Sequence, residues 1–257
     1  MLRFKSLGSG SSGNATVVEA CGLWPQRLLI DCGLSLKHLH HRLGEAGLQA
    51  EDISAVFITH EHGDHIGCAH SLSLRYRIPV WMSAGTYSAI GSPDFDGLLH
   101  IASDGQTINL DGLQLTPFAV PHDAKEPLQL SCTDGAAKLG VLTDLGHATA
   151  HVLAHLRGCN AMLLECNHDL DLLSQSAYPA FLKRRVGGDF GHLSNAAAGH
   201  IARSVMHRGL KHVVAAHLSQ QNNRPELAQE AMAAALDYHQ NDIVVAGASG
   251  GTPWLQI

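Results

Sequence analysis

The segment Ala55-Val-Phe-Ile-Thr-His60-Glu-His62-Gly-Asp64-His65 constrains this chain most, because it sets four metal-ligating side chains within six residues directly behind an apolar run. Alternate residues leaving a strand point to one side, so His60 and His62 face one ion, while Asp64 and His65, in the next turn, reach toward a second. A lone histidine is ordinarily packing, but H-x-H-x-D-H at a strand end is a grouping that packing does not require. The rest of such a centre must come from afar. Leu113 to Val120 leads into His122, Lys138 to Thr143 ends on Asp144, and His212 to Ala216 ends on His217. One ligand at each strand tip is what a sheet needs to converge side chains on one edge.

The remaining pattern is strand-rich, then helical, twice over. Strands are predicted over Arg3–Leu7, Thr16–Glu19, Arg27–Asp31 and Ile53–Thr59, with an amphipathic helix over Leu34–Gly47. A second half begins near Gln106, with strands at Thr107–Leu110, Leu113–Val120, Leu128–Cys132, Lys138–Thr143, Ala161–Glu165 and Ile243–Ala246. Helices are predicted at Ala148–Leu156, Ser194–Arg208 and Arg224–His239. With no linker, low-complexity block or short repeat, residues 1–257 read as a single α/β domain, a size that buries a large core.

The order of ligands along nearly the whole chain resembles the metallo-β-lactamase fold superfamily, which implies a four-layer αββα sandwich. Carried over residue by residue, the resemblance implies that His60, His62 and His122 hold one ion, that Asp64, His65 and His217 hold the other, and that Asp144 bridges them. Such a pair activates water at neutral pH and clamps the oxygens of a substrate under attack. Imidazoles and carboxylates without thiolates suit two divalent ions, zinc or manganese, with iron also compatible. Asp31, in Leu28-Leu-Ile-Asp-Cys-Gly33, matches the family's early aspartate, which orients a ligand histidine; a turn residue after a strand is its plainer reading.

The branch matters more than the superfamily, whose members cleave lactams, thioesters and phosphodiesters. Gly191-His192-Leu-Ser194-Asn195 is similar to a motif of the phosphodiesterase and nuclease branches, in which the histidine meets the scissile phosphate or donates a proton. That resemblance implies His192 as the substrate-side acid, Glu165 or His168 as its support, and Ser194 and Asn195 as substrate contacts, although Ser194 is also a good helix N-cap. Only 72 residues separate Asp144 from His217 and 21 separate His122 from Asp144, too few for the cap domain or the substrate-gripping arm of the RNA-processing branches. Leu7-Gly-Ser-Gly-Ser-Ser-Gly-Asn14-Ala-Thr and Ala216-His-Leu-Ser-Gln-Gln-Asn-Asn-Arg-Pro-Glu-Leu227 complete a resemblance to the YycJ (WalJ) type, which implies a 5′ to 3′ DNA exonuclease. A hydrolase of small cyclic phosphodiesters or thioesters is the alternative within enzymes; a metal-dependent DNA-repair binding module with little turnover is the alternative outside them.

The glycine–serine loop offers backbone N–H groups and the side chains of Ser11, Ser12 and Asn14 to a phosphate. Net charge of −6 is not that of a general DNA binder, so contact must be local, and Lys183, Arg184 and Arg185 are the nearest basic run to Gly191-His192. Of nineteen histidines most cannot be ligands; His38, His40, His41, His147, His151 and His155 read as helix-surface or packing residues. Six cysteines without a C-x-x-C pair read as small buried residues rather than a disulfide framework. No apolar run reaches membrane-span length and the start lacks a signal-peptide core, so the expected location is the cytoplasm.

Overall fold

The computed structural model describes residues 1–22 and 24–257. Six strands open the chain: β1 (Leu2–Gly8), β2 (Ala15–Ala20), β3 (Gln26–Ile30), β4 (Ala55–Phe57), β5 (Val80–Met82) and β6 (Leu99–Ile101). Seven follow: β7 (Ile108–Leu110), β8 (Leu113–Ala119), β9 (Leu128–Thr133), β10 (Lys138–Leu142), β11 (Ala161–Glu165), β12 (His212–Ala216) and β13 (Val244–Val245). The final strand, β14 (Leu255–Gln256), returns to pair antiparallel with β1. Two seven-stranded sheets result, ordered β14-β1-β2-β3-β4-β5-β6 and β13-β12-β11-β10-β9-β8-β7.

Three buried clusters define four layers. Phe4, Leu28 and Phe57 of the first sheet meet Leu115, Leu130, Val141 and Leu163 of the second, forming the apolar filling between them. On the outer face of the first sheet, Val17, Leu29 and Val56 pack against Leu39 and Leu43 of α1 (Leu36–Glu45). On the outer face of the second, Met162, Leu164 and Ala215 pack against three helices. These contribute Val152 and Leu156 from α5 (Ala150–Leu156), Ile201 from α8 (Asn195–Val205) and Met232 from α9 (Pro225–Leu236). The smaller helices are α2 (Gly63–Ile66), α3 (Ala69–Tyr76), α4 (Ala84–Ala89), α6 (Leu170–Gln175) and α7 (Ala180–Val186). This is the expected αββα sandwich, because strands carrying apolar side chains on both faces need cover on both sides.

The ends of the elements differ from expectation for local reasons. Strands predicted to run to Asp31, Thr59 and Thr143 stop short, since the backbone N–H groups of Thr59 and Thr143 bond to the side chains of Asp31 and Gln129 rather than to a ladder. Asp31 itself turns into the left-handed region at φ 62°. Helix α9 ends at Leu236 rather than His239 because Asp237 caps it at φ 59°. Cys21 is exposed and the other five cysteines are buried, all free. No helix among the described residues is long and apolar enough to cross a membrane.

Candidate metal centre

The strand-tip residues converge. Ligand atoms of His60, His62 and His122 lie within 4.8 Å of one another, as do those of Asp64, His65 and His217, and those of His60, His65 and Asp144. Asp144 stands between the groups, its Oδ2 3.0 Å from His65 Nε2 and its Oδ1 3.8 Å from His122 Nε2 and 3.4 Å from His217 Nδ1. His217 Nε2 faces Asp64 Oδ2 at 3.4 Å. All of these side chains are buried except those of His62 and Asp64, which are partly open to solvent.

An oxygen acceptor pins Nδ1 of each deeply buried histidine of this cluster. His65 Nδ1 donates to Asp31 Oδ2 (2.8 Å), His122 Nδ1 to the Gly191 carbonyl (3.0 Å), His217 Nδ1 to Glu165 Oε1 (3.1 Å) and His60 Nδ1 to Thr59 Oγ1 (3.0 Å). The Thr59 hydroxyl in turn donates to Asp31 at 3.0 Å. Fixing the proton on Nδ1 leaves the Nε2 lone pairs free, which is how a protein presets imidazoles for a cation. His122 Nε2 and Asp144 Oδ2 are buried without a hydrogen-bond partner, a costly condition that a divalent ion would relieve. The residues therefore fit the metal that the donor set implies.

Electrostatics point the same way. Burial holds His60 well below the usual imidazole range, with the neighbouring His65 adding to the effect, and burial likewise lowers His122. Burial would also lower His65 and His217, but the Asp144 charge, aided by Asp31 at His65 and by Asp64 and Glu165 at His217, outweighs it. His65 ends well above its ordinary value and His217 reaches about 10. The carboxylates thus create a demand for positive charge that protons meet when no cation does. Burial pushes the Asp144 carboxyl up, yet the cationic His217 and His65 hold it well below its usual range.

His192 stands beside this cluster, its Nδ1 2.7 Å from Glu165 Oε1 and 3.4 Å from Asp144 Oδ1. Burial lowers its pKa, but Glu165 raises it above the ordinary value overall. Glu165, wholly buried, also accepts Leu145 N and Leu193 N, so one carboxylate serves His192, His217 and two loops. His168 is buried nearby, but its imidazole makes no hydrogen bond to a ligand among the described residues; its backbone carbonyl holds Asn195 N instead.

The candidate substrate contacts divide. Ser11 and Ser12 are exposed and, with Tyr178, Ser219, Gln220 and Gln221, line a cavity of about 190 Å³. Asn14 is only 4% exposed; its amide faces inward to Gly10, the Asp64 carbonyl and His65 Nε2, at 3.1 Å from the last. Ser194 caps α8 by accepting Ala197 N, and the Asn195 amide is paired with Asn223. On α7, Arg184 is exposed, Lys183 donates to the Ser174 carbonyl, and Arg185 pairs with Asp123 at 2.6 Å. Arg185, Asp123, Tyr178 and His192 line a second cavity of about 200 Å³.

Thr59, which links Asp31, His60 and His65, escaped sequence reading; its only signal is its place between the strand and the first histidine. Tyr178, shared by both cavities, carries no motif at all.

A family model described as a β-lactamase superfamily domain matches residues 26–222. Over 240 residues the chain is 35% identical to exodeoxyribonuclease YycJ of Bacillus anthracis, covering 92% of this chain and 89% of that protein. Over 235 residues it is 31% identical to exodeoxyribonuclease WalJ of Streptococcus pneumoniae, covering 90% and 86%. Among solved structures, the metallo-β-lactamase fold protein YhfI of Bacillus subtilis superposes with a TM-score of 0.77 at 16% identity over 99% of this chain and 98% of that one, a likeness of fold alone. With its ligand order, its two-sheet fold and these relatives in agreement, the chain belongs to the β-lactamase superfamily of metallo-β-lactamase fold proteins, and within it to the YycJ/WalJ family.

Proposed function

We propose that the chain, as one domain over residues 1–257, is a metal-dependent phosphodiesterase that degrades DNA from its 5′ end, using two divalent ions, zinc or manganese, per chain. The observation that carries the reading is the row of Nδ1-pinned histidines whose Nε2 atoms face carboxylates of the centre, those of His65 and His122 toward Asp144 and that of His217 toward Asp64. His60, His62 and His122 would hold one ion and Asp64, His65 and His217 the other, with Asp144 between them. Bound there, the ions supply activated water at neutral pH and neutralise charge on the phosphate.

The chain's own residues do the rest. Asp64, the most open carboxylate of the centre at 24% side-chain exposure, holds the attacking water's proton and orients it. His192, whose pKa Glu165 raises, donates a proton to the leaving oxygen. A polymeric substrate is supported by the α7 segment leading to His192, where exposed Phe181 and Phe190 flank Lys183, Arg184 and Arg185 in sequence and Arg185 shares a cavity with His192. Aromatic faces beside cations suit a strand of stacked bases better than a small ester.

The test is hydrolysis of end-labelled DNA beside bis-p-nitrophenyl phosphate, with zinc or manganese, across a salt series. DNA cleavage should require the cation and a 5′-phosphate, and replacing Lys183, Arg184 and Arg185 together by glutamine should weaken DNA binding and flatten its salt dependence. Rapid turnover of the small ester with DNA untouched under both metals would overturn the reading in favour of small phosphodiesters.

A further inference from the structure

Outside the strand-tip cluster, one other set of side chains among the described residues draws together with metal-ligand spacing. Ligand atoms of Asp104, His151 and His155 lie within 4.8 Å of one another. The two histidines sit four residues apart on α5, on one face of the helix, with ring centroids 4.7 Å apart. That is the spacing by which a single helical turn aims two imidazoles at one ion. Asp104 comes from a distant stretch, the turn in the crossover between β6 of one sheet and β7 of the other.

Two of the three are held in place by something other than their partners, and the third is held by one of these two. The Asp104 turn is tied to β8 by Gly105 N donating to the Pro117 carbonyl, and Asp104 Oδ1 accepts Ala119 N at 3.0 Å. His155 stacks on the buried ring of Phe118, 4.8 Å between centroids and 14° from parallel. His151 Nε2 reaches Asp104 Oδ1 at 2.8 Å. Preset donors bind a cation at a smaller cost in ordering than mobile ones. All three remain open to solvent, with His151 45% and Asp104 48% exposed, so an ion can enter and keep water in its other positions.

We propose that Asp104, His151 and His155 form a further transition-metal site, distinct from the catalytic centre, which clips the crossover between the two sheets onto α5. The donor set selects the ion. The trio has a single carboxylate, and the ammonium of Lys138 is bound beside it to the carbonyls of His155 and Arg157, so net charge contributes little and the imidazoles carry the affinity. Two imidazoles favour zinc, nickel or copper over magnesium or calcium. The ion takes the place of the proton now shared by His151 and Asp104. The site stands whether or not the chain cleaves DNA.

The test compares the wild-type chain with H151Q/H155Q and with D104N, each equilibrated with zinc buffered by nitrilotriacetate, gel-filtered and assayed for bound zinc by mass spectrometry. The double variant should carry one equivalent fewer than wild type, and D104N should need at least tenfold more free zinc to fill that equivalent. DNA cleavage should stay within twofold in both, since none of the three residues belongs to the catalytic centre. Once the catalytic centre is saturated, further zinc should raise the wild-type Tm by about 2 °C or more and leave the double variant unmoved. Equal zinc content in all three proteins, or the same zinc-dependent Tm in wild type and double variant, would overturn the proposal and reduce the trio to a surface ion pair.

Discussion

Replacing Glu165 by glutamine isolates what the buried carboxylate contributes, because the side chain keeps its volume and loses its charge and its symmetry. Glu165 faces four donors: His192 Nδ1 at 2.7 Å and His217 Nδ1 at 3.1 Å on Oε1, and Leu145 N at 3.0 Å and Leu193 N at 3.1 Å on Oε2. A carboxylate accepts all four; an amide has one accepting oxygen and one donating nitrogen. With the amide nitrogen toward the backbone, two buried N–H groups confront a donor. With it toward the imidazoles, His192 and His217 must carry their protons on Nε2, and His217 then has no lone pair for a cation. Each unsatisfied buried donor costs about 1–3 kcal/mol, so the first orientation costs about 2–6 kcal/mol and the second transfers the loss to metal binding. Losing the partner of a ligand histidine typically weakens metal affinity about 10–100-fold. Glu165→Gln is therefore expected to bind zinc at least about tenfold more weakly in a chelator competition. At saturating metal it should cleave DNA at least about a hundredfold more slowly, because His192 loses the charge that raises its pKa. Zinc affinity and turnover both within about threefold of wild type would refute the assigned role of the carboxylate.

His192→Ala should retain its full metal content while turnover falls roughly a hundredfold; loss of an ion in that variant would make His192 a ligand. Gly33→Ala should fail to hold the Asp64–His65 ion, because a Cβ at Gly33 would lie 1.7 Å from the Asp64 carbonyl oxygen. The control Gly44→Ala, in open space on α1, should stabilise the fold by about 0.5–1 kcal/mol; equal metal content and melting in both variants would contradict this. Because His65 and His217 hold protons at neutral pH in the metal-free chain, a cation must displace them, so zinc affinity should climb with pH until His217 titrates near 10. Zinc added to weakly buffered protein at pH 7 should acidify the solution, and no acidification would refute the raised values.

Much of the architecture was legible because the strands are short apolar or alternating runs bounded by turns, with ligands marking several tips. Expected elements over Leu113–Val120, Lys138–Thr143 and Ala161–Glu165 match β8, β10 and β11 to within a residue. Less legible was the stretch from Ala69 to Ile101, where α3, β5, α4 and β6 are each eight residues or fewer. Segments that short carry too few periods for apolar spacing to distinguish helix from strand. The segment bearing α6 and α7 is similarly opaque: α7 buries no residue, so no apolar stripe announces it. Asn14 and Asn195 looked like polar residues awaiting a substrate, yet both are buried and spend their amides on neighbouring loops. A polar residue in a glycine-rich or helix-opening motif carries the same letters whether it faces solvent or satisfies a buried backbone, and only the tertiary fold decides between them.

What the ligand motif alone cannot convey is how its geometry is kept. Asp31 and His217 both adopt left-handed backbone conformations, φ 62° and 53°, that non-glycine residues rarely hold without compensation. In each case the compensation is visible: Asp31 receives Thr59 N, Thr59 Oγ1 and His65 Nδ1, while the His217 N–H donates to Ser9 Oγ at 2.8 Å. Ser9 belongs to the glycine–serine loop, which Asn14 in turn fastens to the Asp64 carbonyl. The first loop is thus bound to ligands of both halves of the chain, reaching Asp64 and His65 through Asn14 and His217 through Ser9. Strain at the His217 strand tip is held by this loop, so a change at Ser9 or Asn14 reaches the metal centre without replacing a ligand, and the loop's sequence is set by the centre as much as by any phosphate that it meets.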